Sequence, residues 1–182
     1  MNALSVFLIK IANWKSLLSL IMLYIVFPAY LLKNVENKMN SLSGKEVGVI
    51  DLTWGYDPPK TLQMIADYSP EARTFYATTE MTIDIVYPIV YAFLFGIILT
   101  MLYRQSTWQW VHLLPFITMF FDFMENISII YLLKTYPLQS QLFAMFCEIC
   151  KLLKWISFGI LILLIVIGLV RLLFRFLNKK TV

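Results

Sequence analysis

Charge is what this chain of 182 residues has least of. Only 14% of its positions are Asp, Glu, Lys or Arg, where a soluble domain has about a quarter. It has one histidine, which excludes a three-histidine metal site or any imidazole cluster. It has two cysteines, too few for a soft-metal cage. Hard ions would accept oxygen ligands, but no metal-ligand spacing is present, and neither a metal nor a cofactor is expected. The six glycines form no phosphate-cradling loop, and no nucleophile stands with a base beside it. Repeats and low-complexity tracts are absent.

What is there is apolar. Hydrophobic residues make up 60% of the chain and aromatic ones 16%, and the mean hydropathy is +0.74. The excess lies in long runs. Since about 20 mainly apolar residues cross a bilayer, four spans are expected, near 13–33, 81–103, 108–133 and 152–176. The first holds Lys15 and Pro28, and no small-x-small cleavage site follows it, so it reads as a signal-anchor helix rather than a removed leader. The fold class expected is all-α: a four-helix transmembrane bundle with a small extracytoplasmic cap from the first loop, residues 34–80. Residues 1–182 form a single integral membrane domain.

The net charge of +4 matters through its distribution, and nucleic acid is not an expected partner for so greasy a chain. Placing the N-terminus inside puts Lys10, Lys15, Arg104, Arg171, Arg175, Lys179 and Lys180 on the cytoplasmic side, and basic flanks set orientation. Both termini are therefore expected in the cytoplasm, with the protein in the plasma (inner) membrane. "MNALSVFLIKIANWK" reads as an interfacial lead-in to the first span. Within the cap, "EVGVIDLTWGY" has the β-branched and aromatic content of a short strand. Two helix starts follow, Asp57 before Pro58 and Ser69 before Pro70, each an N-cap residue ahead of proline at the first helical position. The second of these helices is expected to run into the second span. "TYPLQSQ" (135–141) turns the chain, and 142–151 extends the fourth span outward. Trp54, Tyr56, Tyr68 and Tyr76 argue for a packed cap rather than a mobile polar loop.

The acids inside the apolar runs are the chief functional signal. At about 100° per helical residue, Thr118, Asp122, Glu125 and Asn126 share one face of the third span. Glu80, Asp84, Tyr87 and Tyr91 share one face of the second by the same rule. Counting about 1.5 Å of rise per residue, Glu125 and Asp122 lie roughly 13 and 18 Å below Lys134, in the half of the membrane nearer the cap. Ionisable groups at such depth face the bundle interior, paired or wet. Lys154, at the head of the fourth span, is either their counter-charge or a side chain snorkelling to the surface. Two readings stay open. The stripes hold helices in register through interhelical hydrogen bonds of about 0.6–2 kcal/mol each, or they line a working site. In the second, Asp122 and Glu125 are the catalytic or cation-contacting candidates, because two acids at one place cannot both ionise easily and a retained proton suits acid–base chemistry. Glu80, Asp84, Tyr87, Tyr91, Thr118, Asn126 and Lys154 are the ligand-binding or orienting candidates, and the aromatic rings suit a cation.

"CEIC", Cys147 and Cys150, is the other motif. A C-x-x-C pair at an outer helix head resembles the quinone-linked thiol oxidoreductases, which implies a redox pair. Those enzymes use further cysteines that this chain lacks, and two small apolar residues on a helix explain the motif equally well. Finally, "DLTWGY", "DIVYP", "FFDFMENISIIYLLKTYP" and "KW" together resemble an uncharacterised family of small four-span membrane proteins over residues 51 to 155. Its most specific part is D-x-x-E-N followed by Tyr136-Pro137. The resemblance implies the architecture and the importance of Asp122, Glu125 and Asn126, but no activity. The expected function is binding, and possible chemical alteration, of a membrane lipid or small amphipathic molecule in an outward-facing acidic and aromatic pocket. A C-x-x-C oxidoreductase, or a claudin-like assembly protein with a protein partner at the outer cap, are the alternatives. No oligomeric state follows from the sequence.

Overall fold

A computed structural model describes residues 3–104, 106 and 108–179; Lys180 lies outside them. Eight helices carry the fold: α1 (Ala3–Ile11), α2 (Trp14–Val26), α3 (Lys33–Ser43), α4 (Pro58–Asp67), α5 (Pro70–Glu80), α6 (Ile83–Tyr103), α7 (Leu114–Lys134) and α8 (Gln141–Lys179). Four helical stretches, Trp14–Ser43, Pro70–Tyr103, Trp110–Lys134 and Gln141–Asn178, are long and apolar enough to cross a membrane. The architecture is the expected all-α bundle, and it fits an integral membrane protein. The second and third stretches are its most buried spans, whereas few residues of the first are fully buried.

The first span runs further than expected. Instead of ending near 33, its helix continues through a π-helical stretch, Phe27–Leu32, into α3 as far as Ser43. Pro28 has no N–H to donate, and widening the hydrogen-bond ladder locally is a common response to such a gap. Gly44, at φ 69°, ends the helix in the left-handed conformation that glycine adopts without strain. The short strand expected within 46–56 is not formed. Residues 45–49 run as irregular chain into a 3₁₀ turn, Ile50–Leu52, and among the described residues there is no strand for this segment to pair with. Its backbone bonds to side chains instead: Val47 N–H donates to Asn40 Oδ1 (2.9 Å) and Ile50 N–H to the Tyr76 hydroxyl (3.0 Å).

Both expected helix starts are present. Asp57 Oδ1 accepts from Lys60 N–H, and Ser69 Oγ accepts from Ala72 N–H. The cap is packed through Tyr68 and Tyr76, as expected, whereas Trp54 and Tyr56, expected to pack as well, are exposed. Met39 of α3, Ile50, Ile65 of α4, Tyr68, Tyr76 of α5, Ile129 and Leu132 of α7, and Cys147 of α8 form one buried apolar cluster. Burial pushes the Tyr68 hydroxyl well above the usual phenol range. A second cluster sits towards the other end of the bundle, around Tyr91, Phe95, Leu99 and Tyr103 of α6 and Leu161 of α8. The acidic residues of α7 lie between these two clusters.

Candidate functional site

Polar side chains separate the two apolar clusters because α6, α7 and α8 each place them at the same level. Asp84 begins the series on α6, Thr118, Asp122 and Asn126 occupy one face of α7, and Lys154 projects from α8. A cavity of about 290 Å³ opens among them. Its polar lining is Asp51, Asp84, Thr118, Asp122, Asn126 and Lys154, and its rings are Tyr24, Tyr87, Tyr91, Trp155 and Phe158. Tyr24 of α2 stacks on Tyr87 at 5.7 Å between centroids.

These side chains are held tightly. Lys154 Nζ lies 2.5 Å from Glu125 Oε2 and 3.3 Å from Asp122 Oδ1. The first contact is close enough for an ion pair, although it is not aligned as a hydrogen bond, and Glu125 Oε1 has no hydrogen-bond partner among the described residues. Tyr91 donates its hydroxyl proton to Asp122 Oδ2 at 2.8 Å. The α7–α8 pairing thus brings Lys154 to both acids of the D-x-x-E-N element.

Asn126 does something the sequence reading did not anticipate. Pro88 stands four residues after Asp84 inside α6, so the Asp84 carbonyl is deprived of its helical N–H partner. Asn126 Nδ2 donates to that carbonyl at 2.8 Å. The amide thereby repairs the proline gap from the neighbouring helix and fixes α6 against α7. Removing it would strand a carbonyl in an apolar setting, a loss of about 1–3 kcal/mol.

One expectation needs correcting. Glu80 does not continue the stripe of Asp84, Tyr87 and Tyr91, because the helix breaks at Met81–Thr82. Thr78, Thr79 and Thr82 each turn their hydroxyl back to the carbonyl four residues earlier, a pattern that bends helices, and Thr82 leaves helical geometry at φ −123° and ψ −77°. Glu80 therefore belongs to α5. It is fully buried, neither carboxylate oxygen has a hydrogen-bond partner among the described residues, and it does not line the cavity. Glu125, also fully buried, stands behind the lining, joined to it through Lys154. Cys147 and Cys150 are free and buried. Cys147 packs into the cap cluster, and neither thiol lines the cavity. Among the described residues no three His, Cys, Asp or Glu side chains are grouped to hold a metal ion.

Asp51, Tyr24, Trp155 and Phe158 are cavity residues that the sequence reading missed. Asp51 accepts the Tyr76 hydroxyl proton at 2.6 Å and comes from the 3₁₀ turn that roofs the cavity. That roof is fastened to α8 by a second ionic cluster. Glu148 Oε2 accepts from Asp57 N–H (2.9 Å), Oε1 accepts from the Thr61 hydroxyl (2.6 Å), and Lys151 Nζ donates to Thr53 Oγ1 (2.6 Å) and pairs with Glu148 at 2.5 Å. Trp54, largely exposed, stacks on Trp155 at 4.6 Å.

At the uncapped end His112 bonds Ser5 of α1 at 2.8 Å, and Arg171 lies over the rings of Tyr103 and Trp108. No protein-family model matches the chain, and no curated protein or solved structure matches it either. The functional reading rests on the site.

Proposed function

We propose that the capped cavity binds a small amphipathic or lipid-like molecule drawn from the membrane. The observation that carries this reading is the mixed lining: three Asp, one Lys, one Asn and one Thr interleaved with five aromatic rings around about 290 Å³ of space. Ligand sites are apolar hollows with a few placed polar groups, and a network serving only helix register would close on itself rather than leave such a space. In this reading Asp122 is the acid–base or cation-contacting group, Glu125 acts on the site through Lys154, Tyr87 orients the ligand, and Asp84 adjusts the charge. Asn126 acts by holding α6. The likeness to the uncharacterised D-x-x-E-N family belongs to the same proposal.

The capped end faces outward in this reading, because Lys10, Lys15, Arg104 and Arg171 gather at the opposite end. Single cysteines at Ser41, exposed near the end of α3, and at Thr181, outside the described residues, test the orientation in a cysteine-free background. An impermeant reagent on intact cells is expected to label position 41 and spare 181, and the reverse pattern inverts the protein.

Filling the cavity tests the binding. Thr118 is a small lining residue beside open space, so Thr118→Phe is expected to occupy that space with little disturbance of the bundle. Wild-type protein in mild detergent should carry about one extractable amphiphile per chain by mass spectrometry, as a single site of this size implies. The variant should lose it while melting within a few degrees of wild type. An equal amount in both proteins, or none in either, contradicts the reading.

A further inference from the structure

The charges around the cavity do not balance. Asp51, Asp84 and Asp122 line the space with Glu125 behind them, and Lys154 is the cation of that lining among the described residues. Lys154 is already engaged with Asp122 and Glu125, and the other nearby lysine, Lys151, is committed to Glu148 and Thr53. Asp84 lines the cavity, yet its carboxylate makes no hydrogen bond or ion pair among the described residues. Thr118, 1% exposed and part of the same wall, has an Oγ1 with no hydrogen-bond partner among the described residues. A buried hydroxyl without a partner beside a surplus of carboxylates marks a place short of a hydrogen-bonding, positively charged group.

The walls narrow the choice further. Tyr24, Tyr87, Tyr91 and Trp155 line the space, and aromatic rings attract an ammonium once it is removed from water. Tyr24 stands on α2 and Trp155 and Phe158 on α8, so apolar surface from both the first and the fourth span borders the same space. From this we infer that the ligand is a cationic amphiphile. Its protonated amine sits between Asp84 and Asp122 with Asp51 above, an N–H donates to Thr118 Oγ1, and its apolar chain lies along Tyr24 and Phe158. A carboxylate or phosphate head is disfavoured, since it would add negative charge to a site already in surplus. This inference rests on the binding reading above and specifies its ligand.

The test uses the full chain in a nonionic detergent with three probes of equal chain length: dodecylamine, dodecanol and dodecanoate. Binding is read by the thermal melt and by the fluorescence of Trp155 in a variant with Trp14, Trp54, Trp108 and Trp110 replaced by Phe. Dodecylamine is expected to raise the melting temperature and change the fluorescence at concentrations about tenfold below those dodecanol requires, with dodecanoate weakest. Asp84→Asn should reduce the response to the amine about tenfold and leave that to dodecanol unchanged, which separates binding from partition into the micelle. Equal responses to amine and alcohol, or a stronger response to the carboxylate, overturn the cationic assignment while leaving the binding site in place. No response to any probe, in a protein whose extracts also hold no amphiphile, defeats both readings together.

Discussion

Replacing Lys151 with Met is expected to unfold the cap from the bundle more effectively than any other single change outside the cavity. The Lys151 and Glu148 side chains are 2% and 1% exposed, and Glu148 also receives the Asp57 N–H and the Thr61 hydroxyl. Taking away one partner of a buried ion pair leaves the other charge uncompensated, which costs about 3–5 kcal/mol. For a chain of this size that corresponds to a fall in melting temperature on the order of 10 °C. Glu148→Gln should be similarly harmful, since it leaves the Lys151 ammonium buried alone. The double variant should recover part of the loss, because neither charge is then stranded, and the coupling in such a cycle is the quantity to measure. Thermal melts of the four proteins in one detergent decide the matter. Single variants that melt within about a degree of wild type would mean that the Thr53–Thr61 strap is held by its apolar contacts, Trp54 on Trp155 among them.

The sequence carried the bundle and the level of the acids better than it carried the cavity roof. The second and third spans, the Asp57 and Ser69 caps and the face shared by Thr118, Asp122 and Asn126 are local properties, set by helical period and end chemistry, and they were readable. The failures have physical causes that act through the fold. The stretch 46–56 has strand composition, yet a strand needs a partner, and whether one exists is decided by the whole chain. Glu80 fell off the stripe because three threonines bond back to the helix, an effect visible in the sequence only as "ATTEMT" and easily outweighed by the apolar period. Asp51 and Glu148 are far apart in sequence from Asp122, and nothing local says that the 50–57 strap returns over the cavity. One missed relation was legible: Pro88 four residues after Asp84 predicts an unpaired carbonyl there, and a side chain such as Asn126 on a neighbouring helix is the kind of group that fills it.

The central claim is that the acids of α7 serve a ligand rather than only the packing of helices. Asp122 gives the sharpest comparison. Its Oδ2 accepts from Tyr91 and its Oδ1 faces Lys154, so it has both a hydrogen-bonding and a charge role. Asp122→Asn keeps a carbonyl oxygen for Tyr91 and leaves Lys154 its contact with Glu125, so the fold should survive. Asp122→Leu strands the Tyr91 hydroxyl, a cost of about 1–3 kcal/mol, and should lower the melt. A purely structural network predicts that Leu harms stability and Asn harms nothing. A binding site predicts that both variants lose the ligand, while only Leu destabilises strongly.

The decisive measurement is mass spectrometry of the small molecules that leave with purified wild-type and Asp122→Asn protein, alongside a thermal melt of each. The account predicts an amphiphile bound to wild type and absent from Asp122→Asn, with melts that differ by no more than a few degrees. The same molecule retained by Asp122→Asn at the wild-type amount, with the wild-type melt, would show the acidic layer to be architecture and contradict the account.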